Sequence, residues 1–485
     1  MKKLLLFLLL SISGFISAQM QDLATLASGK LVYSQILLDT EDQVYGYIYF
    51  FNQENIDEDH IQMEYVLLDK NLNRVANHSF KMHQYNKMLV TRYFRDCSLI
   101  NNNQLLLRLS HQPMNALPIE SFSILSIKEK TISPEFWYYN DAIEEIPKSY
   151  PEYEKKAFYF KNTGIAIPDK NHNGFYIKEQ PYTKVGTNKF LKFYDLKNQL
   201  QWSYEYNTST KNKEQNTIYI NNNKSETIYL LESNSLKKDK IVAINSQNGK
   251  IEFRYTFDNN LTKIYHDFNS KVINNQFIIT GNYYKYEGYT DSYNLNMSLG
   301  FYRIIIDKNG NKINEKYIPW EDLNEQININ KNGKVDKKYF LRPNGFYIFE
   351  DGSVCFLTDK YQPNSSSSDF VLFFMDPDFK LKKIETIAKE PFKGTQYNYL
   401  FSQFSKEKNE YTFFYKNYIT SNKEWVLGVV TLNKEGIIKE DKIPMSSKDE
   451  KFTILPIPAK EGYILLREYN ENDEKYNQLR LEKLN

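Results

Sequence analysis

Three segments place oxygen-bearing side chains at alternate positions: Asp69/Asn71/Asn73, Asp169/Asn171/Asn173 and Asp307/Asn309/Asn311. Alternating hard oxygens form the first half of a calcium-binding loop, and the second copy continues into Gly174, as that loop requires at its sixth position. Asp169, Asn171 and Asn173 are therefore a candidate calcium site. The twelfth position is Gln180 rather than a bidentate glutamate, so one ligand alone would carry charge. The competing reading is a hairpin turn whose Asx side chains satisfy local backbone N–H groups.

The other reactive residue types are sparse or scattered. None of the six histidines, His60, His78, His83, His111, His172 and His266, has metal-binding spacing, and structural or surface roles suit them. Cys97 and Cys355 are too few for a disulfide scaffold or a four-thiolate zinc site. No Gly-x-Ser-x-Gly elbow, phosphate loop or dinucleotide fingerprint is present, and no catalytic pair stands out among evenly spread carboxylates. What does cluster is tyrosine: Tyr283, Tyr284, Tyr286 and Tyr289, then Tyr361, Tyr418 and Tyr469, all in stretches that read as exposed loops. A tyrosine offers a flat apolar face and a hydroxyl at low entropic cost, which suits a protein or glycan partner. With 39 tyrosines in the chain, some must fall in loops by chance.

The elements that would carry these residues are strands. Runs such as Val44–Phe51, Gln62–Leu68, Phe370–Met375 and Trp425–Leu432 are rich in Val, Ile, Tyr and Phe and stop at Asn, Asp, Gly or Lys. Asp141–Lys156 is the best helical candidate; Pro147 and Pro151 reduce it to an irregular insertion with about one turn of helix. A strand–turn–strand unit recurs, with its turn at Asp69, Lys128, Asp195, Asn245, Asp307, Asp376, Asn433 and Lys483. The spacings are 59, 67, 50, 62, 69, 57 and 50 residues. A strand-only repeat of this length is the pattern of propeller blades with elaborated loops, so the expected fold is an all-β propeller of seven or eight four-stranded blades. Two β-sandwich domains are the rival. The last unit is short by one strand, and Met20–Lys30 is the natural donor.

Within each unit the turn between the third and fourth strands is short. The connection between the second and third is long and variable, as in Gln53–His60, His111–Ser121 and Tyr283–Ser298. In a propeller these connections lie at opposite ends of the strands, and binding residues ride on the longer ones.

On the repeat spacing and the recurrent hairpin, residues 25–485 resemble the secreted bacterial β-propeller proteins. The resemblance implies an architecture. It implies no activity, because the Trp-Asp, kelch and Asp-box signatures are absent. Glycine is scarce, 18 residues where average usage predicts about 34. Asparagine is expected to fill turn positions in its place, since it tolerates positive φ.

Residues 1–18 read as a secretory signal: Lys2 and Lys3, an apolar Leu4–Phe15 too short to span a bilayer, then Ser17-Ala18. Residues 19–485 would then form a single propeller domain, secreted or held in the periplasm or at the cell surface of a bacterium. Of 62 basic residues two lie in that leader, leaving 60 against 60 acidic, and this balance argues against a dedicated nucleic-acid binder. The leading functional expectation is a binding or scaffold module engaging a protein or glycan through the long-loop end. The alternatives are a glycan- or peptide-acting hydrolase or lyase with acidic residues at a central channel, and a structural component of a surface assembly. No cofactor is expected beyond the candidate calcium.

Overall fold

The computed structural model describes residues 19–85, 89–114, 117–159, 162–169, 171, 173–181, 189–207, 216–222, 226–234, 240–257, 264–266, 269–285, 298–362, 366–393, 398–445, 452–470 and 472–484. The leader assigned to residues 1–18 lies outside them.

Among the described residues the strands form eight sheets, each built on four antiparallel strands, taken in chain order in the first seven. The chain is an all-β propeller of eight four-stranded blades, at the upper of the two expected blade counts. In the first sheet the order is Lys30–Leu38, Val44–Asn55, His60–Asp69, Arg74–His83. The eighth sheet supplies Thr453–Pro458, Tyr463–Asn470 and Asp473–Lys483. Gln19–Asp22 adds the fourth strand, pairing Gln19 with Leu481 and Asp22 with Gln478. Of the expected donor Met20–Lys30, Met20–Asp22 fills this role, while Leu23–Leu26 turns helical and Lys30 opens the first sheet. The hairpin expected at Lys483 is corrected: Leu479 and Leu481 lie inside a strand that is paired on both edges.

Contacts divide the chain into two units, residues 1–168 with 446–485, and residues 169–445. In the first unit the strand Val44–Asn55 shows why the runs are so continuously apolar. Ile48 and Phe50 pack with Leu105, Leu107 and Leu109 of the second sheet. Tyr47, Tyr49 and Phe51, on the opposite face, pack with Leu465, Leu479 and Leu481 of the eighth. A sheet sandwiched on both faces needs no alternation of polar residues. In the second unit the same rule joins the fifth sheet to the sixth through Phe301, Phe356 and Phe373, and the sixth to the seventh through Phe370, Phe413 and Tyr415.

The short turns share one mechanism. Asp69 Oδ1 accepts the backbone N–H of Asn71 and of Asn73, both at 2.8 Å, and Asp307 does the same for Asn309 and Asn311 at 2.8 Å. A residue at positive φ follows in each turn: Leu72 (64°), Asn198 (61°), Gly310 (86°) and Phe379 (58°). The pairing slips by one residue beside each of these turns, as a bulge requires. Asparagine therefore does not own this position. Leu72 and Phe379 hold it at a strain of about 1–3 kcal/mol, offset by burying their side chains, which contributes about 1.5–3 kcal/mol.

The helical expectation is also corrected. Tyr150–Tyr159 is a ten-residue helix. Pro151 lies in its first turn, where no intrahelical partner is lost, and Pro147 precedes it.

Candidate functional site

The second sheet departs from the four-strand plan. Its outer strand is split: Thr131–Ile132 pairs with Leu125 and Ser126, and Phe136–Tyr139 pairs with Ser121 and Phe122. Between the halves lie Ser133, Pro134 and Glu135. Pro134 has no N–H to give the ladder, so regular pairing stops there. Ser133 substitutes, its Oγ accepting the Ile124 N–H at 2.9 Å.

The break turns the Glu135 side chain inward, onto residues that strand register has already gathered. Arg92 and His111 are cross-strand partners, and Ser121 faces Leu109 on the next strand. Glu135 Oε1 lies 2.5 Å from His111 Nε2 and accepts the Ser121 hydroxyl, while Oε2 meets Arg92 Nη2 at 3.2 Å. Burial alone would raise the Glu135 pKa, but the Arg92 charge, His111 and Ser121 together hold it at about 2. Burial pushes His111 down, so the imidazole is neutral in the neutral pH range.

An aromatic shell encloses the cluster. The Tyr85 ring lies 4.6 Å from Tyr153, 4.8 Å from His83 and 6.1 Å from His111, and its hydroxyl donates to the Pro147 carbonyl. Trp137 stacks on Tyr153 at 5.7 Å. Among the described residues, His83 Nε2, His111 Nδ1, Arg92 Nη1, Trp137 Nε1 and the Tyr153 hydroxyl are buried without a hydrogen-bond partner.

In front of Glu135 a half-open cavity of about 250 Å³ separates the first two sheets. Phe80, Met82, Leu107, Leu109, Ile132 and Ile146 give it an apolar lining; His83, Ser123 and Glu135 add polar groups, and His60, Lys81, Glu145 and Lys148 ring it.

Ser121, His111 and Glu135 are the residue types of a nucleophilic triad, but not its geometry. A triad base takes the nucleophile on one ring nitrogen and the carboxylate on the other. Here serine and glutamate share Nε2, the serine proton goes to the carboxylate, and Nδ1 orients nothing. A carboxyl held at about 2 has no proton to donate near neutrality. The cluster is a fixed wall for a cavity.

A second polar cluster lies in the other unit, where the sixth sheet meets the seventh. Arg342 grips Asp359 with two hydrogen bonds of 3.0 and 2.7 Å. Nearby Lys389 Nζ donates to Ser367 Oγ at 3.2 Å and sits 4.7 Å from the Phe370 ring centre. Burial pushes Lys389 down to about 8. A lysine beside a serine activates the hydroxyl where substrate reaches it; Ser367 is fully buried.

The residues singled out from sequence are not brought together. Tyr283 and Tyr284 correct the expectation of an exposed loop. They belong to the strand Gln276–Lys285 and are buried, Tyr283 with Tyr302 and Phe277 in a core cluster. Tyr286 and Tyr289 lie outside the described residues. Tyr361 is half-buried with the Arg342 guanidinium 4.4 Å from its ring, Tyr418 rests on Trp425 at 5.2 Å, and Tyr469 on Arg467 at 5.1 Å. In the candidate calcium turn Asp169 is buried and accepts the Asn171 N–H at 3.0 Å, while Asn173 takes positive φ at 53°. That is the Asx pattern of the other turns, and the Asp169 carboxylate lies close enough to Tyr176 to raise the pKa of its already buried hydroxyl. Among the described residues no group of three or more His, Cys, Asp or Glu side chains is placed to hold a metal.

Sequence reasoning missed Glu135, Arg92, His111 and His83. Its one usable signal was Pro134 inside the stretch that should have been an outer strand. The segment His111–Ser121, read as a connection, begins and ends in strands.

A family model described as a family of unknown function, DUF6770, matches residues 1–375 and 374–485. The chain belongs to that family. No curated protein matches this DUF6770 chain. Among solved structures it is similar to a prolyl endopeptidase at 7% identity and TM-score 0.42, covering 92% of this chain and 55% of the other. It thus spans about half of that enzyme's length. An ulvan lyase is similar at 9% identity and TM-score 0.37, covering 79% of this chain and 90% of the lyase. The β-propeller domain of the trilobed protease from Pyrococcus furiosus is similar at 7% and 0.38, covering 81% and 95%. Among the described residues no helix is long and apolar enough to cross a membrane.

Proposed function

We propose that this DUF6770 chain is an exported bacterial binding module that holds a protein partner at the long-loop end of its first and second sheets. The observation that carries this reading is the cavity of about 250 Å³ with an apolar lining and a locked, ionised Glu135 at its back. Pockets for whole small-molecule ligands start at about 300 Å³, so this one suits a single side chain of a larger partner. The wall is preformed, so little ordering cost opposes binding. A protein side chain is favoured over a glycan because Phe80, Met82, Leu107, Leu109, Ile132 and Ile146 make the lining mainly apolar. Export rests on the Lys2–Ala18 pattern.

The test is a displayed random-peptide selection on the wild type, counter-screened on Ile132→Trp. Ile132 is half-buried at the cavity wall, so the larger ring fills the space with little strain. Peptides that share an apolar anchor and lose at least tenfold in affinity for a folded I132W protein support the proposal. Peptides that bind both proteins equally overturn it.

A further inference from the structure

His111 is locked in one tautomer. Glu135 is ionised and can only accept, so Nε2, the ring nitrogen 2.5 Å from it, carries the proton. Nδ1 is then a bare lone pair, buried and without a partner among the described residues. The Tyr85 and Tyr153 rings pack on the imidazole at 6.1 and 5.9 Å. A second proton would make an Nδ1–H with no acceptor among the described residues, inside an aromatic shell. His83 repeats the problem on the same shell. Its Nε2 is buried and unpartnered among the described residues, and its ring stands edge-on to Tyr85 at 4.8 Å.

The charges around the two rings compensate another cation poorly. Glu135 already serves Arg92, His111 and Ser121. From the first sheet His60 stands 5.6 Å from His83, and Asp57 is engaged by His60 at 2.8 Å. Asp59 draws His83 from the connection before that strand. In the cavity lining Lys81 and Lys148 face Glu145. From the helix Tyr150–Tyr159, Tyr153 packs on Tyr85 and His111, and the Glu152 charge reaches Tyr85. Burial lowers the pKa of both imidazoles; the Arg92 charge acts in the same direction and Glu135 opposes it. The helix that closes this shell is lightly held. Ten residues of helix are marginal alone, Tyr153 and Ala157 are buried in it, and its Lys156–Glu144 ion pair of 2.8 Å is partly exposed.

We propose that this junction is an acid-operated latch: protons taken up by His111 and His83 drive the helix Tyr150–Tyr159 off the cluster, while the strands of both sheets stay paired. Undocking lets water reach the new N–H groups. Both folded values lie below the ordinary 6.5, so the closed state is fully favoured above that pH and loses ground as pH falls below it. The latch works on the chain alone, whether or not the cavity holds a partner.

The test is hydrogen–deuterium exchange of the full chain at about pH 7.5 and about pH 5.5, one unit either side of 6.5, with intrinsic rates divided out. Protection over Tyr150–Tyr159 should fall by about tenfold or more at the lower pH, because each histidine that protonates only in the open state contributes about tenfold per pH unit. Protection in Val44–Asn55 and Ile119–Ser126 should hold. His111→Gln keeps an amide donor for Glu135 and takes up no proton; combined with His83→Phe, it should leave the helix protected at both pH values. Should that variant not fold, the wild type decides, and long-range proton–nitrogen spectra should find the His111 proton on Nε2 at about pH 7.5. Equal helix protection at both pH values, or a loss spread evenly over all the sheets, overturns the latch. So does a His111 proton on Nδ1, or a folded double variant that still releases the helix in acid.

Discussion

Where the first and second sheets meet, one buried carboxylate, Glu135, serves Arg92 and His111; where the sixth and seventh meet, one buried carboxylate, Asp359, is gripped by Arg342, while Lys389 donates to a serine hydroxyl and is drawn by Asp359 and Asp369 without an ion pair to either among the described residues. Both clusters lie at the long-loop end of their sheets, and both are nearly dry. The difference is charge balance. With His111 neutral, the first cluster sums to zero, and its carboxyl is held at about 2. In the second the Lys389 ammonium makes no ion pair among the described residues, and burial drives it down to about 8 against the pull of Asp359 and Asp369. A balanced cluster holds a rigid wall, here the back of a cavity. An unbalanced one sits at a cost in stability inside a closed junction.

Breaking the balanced cluster should have the larger effect. Glu135→Gln leaves the Arg92 guanidinium nearly buried and unpaired, which costs about 3 kcal/mol in a chemical denaturation series. A loss under 1 kcal/mol would mean that the carboxylate does not hold the junction. The acid limb checks the same group. Its folded pKa of about 2 lies below the ordinary 4.5, so its contribution is complete above pH 4.5 and is lost as pH falls towards 2. His83 and His111 add to this limb, because folding disfavours their protonation. Stability should decline as pH drops below their ordinary value of 6.5.

The unbalanced cluster should respond with the opposite sign. Lys389→Met removes the ammonium and leaves the Arg342–Asp359 pair intact. The variant should match or exceed the wild type by about 1 kcal/mol at pH 7. Lysine deprotonation in the folded state begins near 8 and in the unfolded chain near 10.5, so the wild type gains stability over that window. The advantage of K389M should therefore shrink from pH 8 to pH 10, as read by paired denaturation curves. A K389M protein less stable by 2 kcal/mol would show that the ammonium is compensated. The smallest effect is expected from Tyr361→Leu, which removes the ring beside Arg342 and costs about 0.5–1 kcal/mol.

The sequence told the two ends of each sheet apart, but only one of them in detail. Short turns were legible because Asp69, Asp195 and Asp307 act on neighbours two and four residues away, so the motif contains its own partners. The eighth sheet's borrowed strand was legible as a deficit of one strand at the C-terminus. The clusters were not. Arg92, His111 and Glu135 are 19 and 24 residues apart in sequence and meet only through strand register and a break at Pro134. Tyr283 and Tyr284 were misread for a related reason: strand pairing with Gly300 and Ser298 runs further into the apparent loop than hydrophobic patterning shows. Tyr361 reached a polar cluster through a guanidinium whose position 19 residues earlier carried no signal.

The account stands most directly on one observation: methyl-labelled NMR spectra of the full chain while a selected peptide with an apolar anchor is added. The expected shifts are confined to Met82, Leu107, Leu109, Ile132 and Ile146, which line the cavity at the first junction. Shifts at Leu341 and Leu357, on the strands that carry Arg342 and Asp359, with none at those five residues would contradict it.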